Sequence, residues 1–496
     1  MNFYSNPVIW ADVPDPDVIR VGDVYYMTST TMHFCPGCPI MKSYDLVTWE
    51  IIGYVYDILE DDDTMNLENG KDAYGKGSWA SSLRYHDGVF YVAFAAYNTD
   101  KTYIYQTRDI EKGVWERYVL EGVYHDMSLL FDNDGRVFMV YGGGDIRIIE
   151  LDRNATAIKT GGMNKVLLTK DETSIGGQSG LPAEGAHIYK IDGRYYIFLI
   201  SWPSGRRRLQ LCLRADKIDG RYEGRIVCDK SLRGRDDGIA QGGIVQATDG
   251  AWYAVLFQDN GAVGRAPAVI KVNWEDGWPV FEEAEGELPI PESECKKTQS
   301  NIILSDDFNN NKIGLHWQWN HNPDETAYSL TERTGLLRIK NNRLSADITR
   351  ARNILTQRTF APECAGIIKL DASGLKDGDT AGFAAFQYNY GYVGVKIVGN
   401  EKYIVMINRG GEEAVEAERI PLRQDIVYFK IYFDFKNGTD KAYFYFSLDG
   451  EDFTPIGNTL QMSYSLKHFT GYRFALFIFA ERELGGYADF DYFKIL

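Results

Sequence analysis

The sequence predicts an all-β protein, a five-bladed β-propeller followed by a β-sandwich. Helical periodicity is scarce, while short aromatic and β-branched runs alternate with turn residues along the whole chain. One hairpin pattern returns five times in the first part of the chain. The strand pattern then changes after a cluster of turn and charged residues near Pro289-Ile290-Pro291-Glu292-Ser293-Glu294.

The recurring hairpin is an Asp–Gly turn leading into an aromatic strand, with the order of the two turn residues reversed in the first copy. It reads Gly22-Asp23-Val24-Tyr25-Tyr26, Asp87-Gly88-Val89-Phe90-Tyr91, Asp134-Gly135-Arg136-Val137-Phe138, Asp192-Gly193-Arg194-Tyr195-Tyr196 and Asp249-Gly250-Ala251-Trp252-Tyr253. Asp–Gly suits a tight hairpin because both residues accept positive φ at low cost. The spacing of the copies matches one four-stranded blade with loops per copy, and five copies give five blades. The predicted propeller domain covers 1–297 and the sandwich domain 298–496, the sandwich packing on the propeller.

Eight residues before the Asp of each turn stand Asp15, Trp79, Asp126, Glu184 and Gln241. Each opens the strand that enters its hairpin. The first strand of a blade lines the central channel, so the five positions are expected to meet on one axis. A wet channel accommodates one or two polar residues, but three carboxyls in one ring repel each other and call for a functional reason. Two carboxyls flanking a glycosidic bond can hydrolyse it, one protonating the leaving oxygen and the other activating water. A third tunes the acid by disfavouring a second negative charge. Asp17 and Asp12 are rivals for the base; the repeat register favours Asp15.

The bulk properties narrow the function classes. A formal net charge of −17 argues against nucleic acid and anionic membrane surfaces as partners. No apolar run is long enough for a membrane-spanning helix. No secretory signal is visible at the start, so a cytoplasmic location is expected. The six cysteines are too sparse for a disulfide scaffold. Cys35-Pro36-Gly37-Cys38 has the spacing of a redox or zinc half-site but reads better as a tight turn, with no second pair to complete it.

Several motifs resemble glycoside hydrolase family 43, five-bladed enzymes that include β-xylosidases and α-L-arabinofuranosidases. They are Asn6-Pro7-Val8, Pro14-Asp15-Pro16-Asp17, Ser43-Tyr44-Asp45-Leu46-Val47-Thr48-Trp49, His125-Asp126-Met127-Ser128-Leu129, Ala183-Glu184-Gly185, Gly264-Arg265 and Trp274-Glu275-Asp276-Gly277-Trp278-Pro279. The resemblance implies Asp15 as general base, Glu184 as general acid and Asp126 as the residue tuning it. It implies Arg265 as a hydrogen-bond donor to the sugar and Trp79 as an apolar wall. His33, Phe34 and Trp202, on loops near these motifs, are further candidates to shape the pocket. Two departures stand out. Trp79-Ala80-Ser81-Ser82 lacks the family's Pro-Asp, and Gln241 replaces a His associated with a bound cation. The chemistry requires no cofactor. A Ca²⁺ in the channel, with Gln241 as ligand, stays open because an amide oxygen can ligate calcium.

In the second domain, Gly335–Ile339, Ala381–Phe386, Lys441–Phe446 and the alternating Tyr487–Phe493 read as sandwich strands. Ser305-Asp306-Asp307-Phe308 with Trp317 and Trp319 resembles the lectin-like, concanavalin-type jelly roll of family 43 β-xylosidases. The implied function is an exo-acting inverting hydrolase releasing β-D-xylosyl or α-L-arabinofuranosyl units from hemicellulose-derived oligosaccharides; a homo-oligomer is compatible with it. The alternatives are a non-catalytic sugar-binding propeller and a retaining fructosidase-like propeller, which this chain's lack of an Arg-Asp-Pro element disfavours.

Overall fold

The computed structural model describes residues 3–232, 234–289 and 299–496. The first half forms five antiparallel four-stranded sheets, each ordered as in sequence from an innermost to an outermost strand. The innermost strands are Asp17–Val21, Ser78–His86, Ser128–Phe131, Ser179–Ile191 and Ile239–Gln246. Each joins the next strand through the hairpin that the repeat predicts. Asp87, Gly88, Asp192 and Gly193 all have positive φ, as the tightest of these turns require.

A ring of apolar cores between the sheets makes this a closed propeller. Ile40 and Tyr56 of blade I pack with Phe94 and Tyr103 of blade II. Further clusters join II to III, III to IV and IV to V. The last joins Val18, Tyr25 and Met41 of blade I to Tyr253, Val255 and Val269 of blade V. The chain start clips this closure: Phe3–Tyr4 pairs with Leu288–Pro289, and the Asn6 side chain bonds both ways with the Val269 backbone. Pro289, read from sequence as linker, is thus a strand residue. The remainder of that linker and the 297/298 boundary lie outside the described residues.

The second half is a sandwich of two facing sheets. In Ile426–Asp434, buried and half-buried residues alternate strictly, as a strand with one face on a core must. Phe383, Phe474 and Phe493 fill the space between the sheets. One sheet runs Val415–Leu422, Glu401–Arg409, Tyr390–Val398, Asp379–Phe386, Arg473–Ala480, Leu355–Arg358, Gln318–Asn320 and ends on Phe34–Cys35, a strand lent by the propeller. The seam is pinned elsewhere by Asp12. One carboxylate oxygen accepts from the Arg265 backbone N–H and the other from that of Gly471, while the Arg358 guanidinium reaches the Asp12 carbonyl, each at 2.8 Å. No helix among the described residues is long and apolar enough to cross a membrane.

Candidate active site

The positions singled out by the repeat stand where the innermost strands leave regular geometry. Asp15, Asp126 and Gln241 have φ of 51°, 47° and 55°. Gln241, Glu184 and Trp79 lie at shifts of pairing register. Such bulges re-aim a side chain that ordinary alternation would point into the sheet packing. Gly185 follows Glu184 with φ 67°, and a Cβ there would come within 2.9 Å of the Gln241 side chain, so the approach of the two strands needs glycine.

The three carboxyls sit in different surroundings. Asp15 is buried; its Oδ2 accepts from the Thr30 hydroxyl at 2.6 Å and its Oδ1 from Arg265 Nη1 at 2.9 Å. Asp126 is also buried, with Oδ2 facing the Gln241 amide at 3.4 Å and Oδ1 without a hydrogen-bond partner. Burial pushes Asp126 up to about 7; Glu184 and Asp15 add to the shift, and His125 and Arg265 oppose it. Glu184 keeps 35% of its side chain exposed, and its Oε2 lies 3.0 Å from His125 Nε2. Burial alone would lower the His125 pKa, but the charges of Asp126, Glu184 and Asp15 outweigh it and push it up to about 9. The Tyr97 hydroxyl holds the other ring nitrogen at 2.8 Å.

Glu184, Gln241 and Arg265 stand on the wall of a pocket of about 370 Å³. Asp15 and Asp126 touch that wall through Arg265 and Gln241. Trp202 and Arg208 line one side, the guanidinium stacked on the indole at 4.3 Å and paired with Asp259. The opposite side comes from the sandwich: Tyr464, Leu466 and Phe469. The Arg265 guanidinium lies between the rings of Phe257 and Phe469, at 4.7 and 4.6 Å from their centroids.

Residues 4–279 match the description "Glycosyl hydrolases family 43", and residues 305–496 match "Beta xylosidase C-terminal Concanavalin A-like domain". The chain belongs to glycoside hydrolase family 43. This family 43 glycosidase is 30% identical to a β-xylosidase of Formosa agariphila, over 99% of this chain and 90% of that protein. A solved structure described as a bifunctional GH43-CE of Bacteroides eggerthii is 49% identical with a TM-score of 0.95; all of this chain aligns, spanning 64% of that chain. A second structure, a family 43 enzyme engineered at its active site to display endo-xylanase and exo-arabinofuranosidase activity, is 30% identical over the full length of both chains, TM-score 0.90.

Among the residues expected at the site of this family 43 enzyme, Trp202 and Arg265 line the pocket. Trp79 packs beside it, its ring 5.3 Å from Phe469 and 5.6 Å from His125. His33 and Phe34 do not shape the pocket as expected. Both are fully buried in the seam between the domains, His33 against Tyr74, His321 and His468 and Phe34 beneath the Arg473 guanidinium at 3.6 Å. The strand lent to the sandwich carries them away from the channel. Asp17 also turns elsewhere, to Arg84 at 2.7 Å on the second blade and His187 at 3.3 Å on the fourth. Cys35 and Cys38 are free, buried thiols that burial pushes up to about 12, which removes any thiolate for redox or zinc chemistry at neutral pH.

Gln241 could supply one amide oxygen of the six to eight, water included, that calcium takes; its Nε2 faces Asp126 Oδ2 at 3.4 Å and its side chain packs on Gly185. His125, Asp126 and Glu184 form the one group of three candidate ligands among the described residues, with ligand atoms within 4.8 Å of one another; His125 and Glu184 already bond to each other. Sequence reading missed His125 as a contact of Glu184, although it lies inside a quoted motif. It also missed Tyr464, Leu466 and Phe469, whose position depends on how the domains dock.

Proposed function

We propose that the chain is an exo-acting, inverting glycosidase that releases β-D-xylosyl or α-L-arabinofuranosyl units from the ends or branches of hemicellulose-derived oligosaccharides. The observation that carries this reading is the set of unequal carboxyls beside a pocket with a wall from the second domain. Asp15 uses one lone pair on each oxygen for Thr30 and Arg265 and keeps the others for water. It takes a proton from that water as the oxygen attacks the anomeric carbon. Glu184, exposed on the pocket wall, gives a proton to the departing glycosidic oxygen, and the anomeric configuration inverts. Asp126, buried within reach of Glu184, tunes the acid by disfavouring a second negative charge beside it. Arg265 holds Asp15 and presents its remaining donors to sugar hydroxyls.

The volume of the pocket suits one sugar unit and a little more, and the wall of Tyr464, Leu466 and Phe469 favours trimming over cutting inside a polymer. The names of the relatives support a xylosyl or arabinofuranosyl glycone. The chemistry draws on carboxyls and water, with no metal in the scheme. The test is turnover of nitrophenyl β-D-xyloside and α-L-arabinofuranoside, with proton NMR of the first-formed anomer of the released sugar. Turnover of neither glycoside, or release with retained configuration, would refute the assignment.

A further inference from the structure

A second pocket, of about 540 Å³, opens on the other flank of the segment that walls the catalytic one. Tyr464, Leu466 and Phe469 face the catalytic pocket, while Lys467 and His468 face the second. The two chambers share one stretch of backbone, held against the propeller at Gly75, where a Cβ would come within 2.9 Å of the Lys467 carbonyl.

The charges of this pocket run against those of the molecule. The chain carries −17, yet here Arg350, Arg409 and Lys467 meet only Asp72 and Asp347. Asp72 is taken by Arg350 at 2.9 Å. Asp347 accepts from the Thr349 backbone and hydroxyl and from the Tyr390 hydroxyl, at 2.6–2.7 Å. Arg409 and Lys467 have no carboxylate within ion-pair distance among the described residues. Arg409 donates only a long bond, 3.4 Å, to the Glu412 carbonyl. Both cations lie over the Tyr388 ring, at 5.0 and 4.0 Å, and the Lys467 ammonium also donates to the Tyr388 hydroxyl at 2.6 Å. The phenol thus holds two like charges side by side at the mouth of a chamber large enough for a monosaccharide.

We propose that this pocket binds a carboxylate-bearing sugar, a hexuronate. Its carboxylate would take the Arg409 fork and the Lys467 ammonium, a charge-assisted arrangement a neutral sugar cannot form. The pocket's neutral walls, the Thr349 hydroxyl and the stacked Tyr74–His468 pair (ring centroids 3.9 Å apart), would face the sugar ring and its hydroxyls. A site of this kind beside the catalytic pocket would favour substrates whose chains carry acidic sugars. This inference stands apart from the reading of the catalytic pocket, because binding is measured without turnover.

The test is calorimetric titration of the full chain with D-glucuronate, D-glucose and inorganic phosphate. Saturable binding of glucuronate is expected, at least about tenfold tighter than glucose, given what hydrogen bonds to charged groups contribute. Lys467→Gln, at an exposed side chain, and Arg409→Gln should each abolish it while leaving nitrophenyl pentoside turnover unchanged. Absence of glucuronate binding overturns the proposal. So does phosphate binding as tight as glucuronate, which marks a general anion patch, or glucuronate binding that survives both substitutions.

Discussion

Phe469 of the sandwich covers the guanidinium of Arg265, the residue that holds Asp15 in the propeller. A group from the far end of the chain therefore sets the orientation of an arginine that contacts the proposed base. The two domains share one site.

Removing that ring should loosen Arg265 and open the pocket. Phe469→Ala is expected to raise KM and lower kcat/KM roughly tenfold, in keeping with about 1–2 kcal/mol for a desolvated cation–π contact. Steady-state kinetics on the aryl pentosides would decide it. Unchanged constants would mean that the sandwich is a bystander.

The carboxyls should separate by role. Glu184→Gln is expected to lose about 10²- to 10⁴-fold in kcat on natural oligosaccharides, the usual contribution of a positioned acid, with a smaller loss on aryl glycosides whose leaving groups need less protonation. Asp15→Asn should be similarly impaired on both substrate types. Equal losses by Glu184→Gln on both types would contradict its place as the acid.

Asp17→Asn tests the neighbouring aspartate as a structural group. Its charge is buried, yet Arg84 and His187 hold its pKa below the usual carboxylate range. Leaving those partners unpaired should cost roughly 3–5 kcal/mol, seen as a marked fall in melting temperature. Activity per folded molecule should persist. A stable but inactive variant would return Asp17 to the list of bases.

The seam histidines predict acid lability. Burial, with Arg473 adding, lowers His33 to about 3, and burial lowers His321 and His468 well below their ordinary value. In the unfolded chain each titrates near 6.5, so below that pH the unfolded state binds the extra protons and stability falls as pH drops. His468→Gln should reduce proton uptake on unfolding by about one between pH 6 and 4. An unaltered pH dependence of stability would show that His468 is not buried as a neutral ring.

Chelation gives the last check. Gln241 is engaged with Asp126, so EDTA should leave turnover intact while Gln241→Ala lowers it. Loss of activity on EDTA treatment, restored by calcium, would reverse this view.

Much of the propeller was legible because its repeat is written locally. Asp–Gly turns fix the hairpins, and counting back from them finds Asp15, Asp126 and Glu184, since equivalent positions in a closed ring must converge. The register shift at Glu184 and the positive φ of Asp15 and Asp126 were not legible, because they depend on the partner strands and on how each strand is entered. Proximity in sequence misled for His33 and Phe34: they lie between two of the quoted motifs, but Phe34–Cys35 is captured by another domain. The same long-range docking hid Phe469 and Tyr464.

The capture of Phe34–Cys35 also bears on engineering. In a propeller shortened to end near residue 289, that strand would be an open edge with unpaired backbone groups and buried aromatics laid bare, a template for self-association. Exchanging the sandwich for another sugar-binding module would meet the same obstacle. The working unit for expression or fusion is the whole two-domain body, with new parts added at its outer surface.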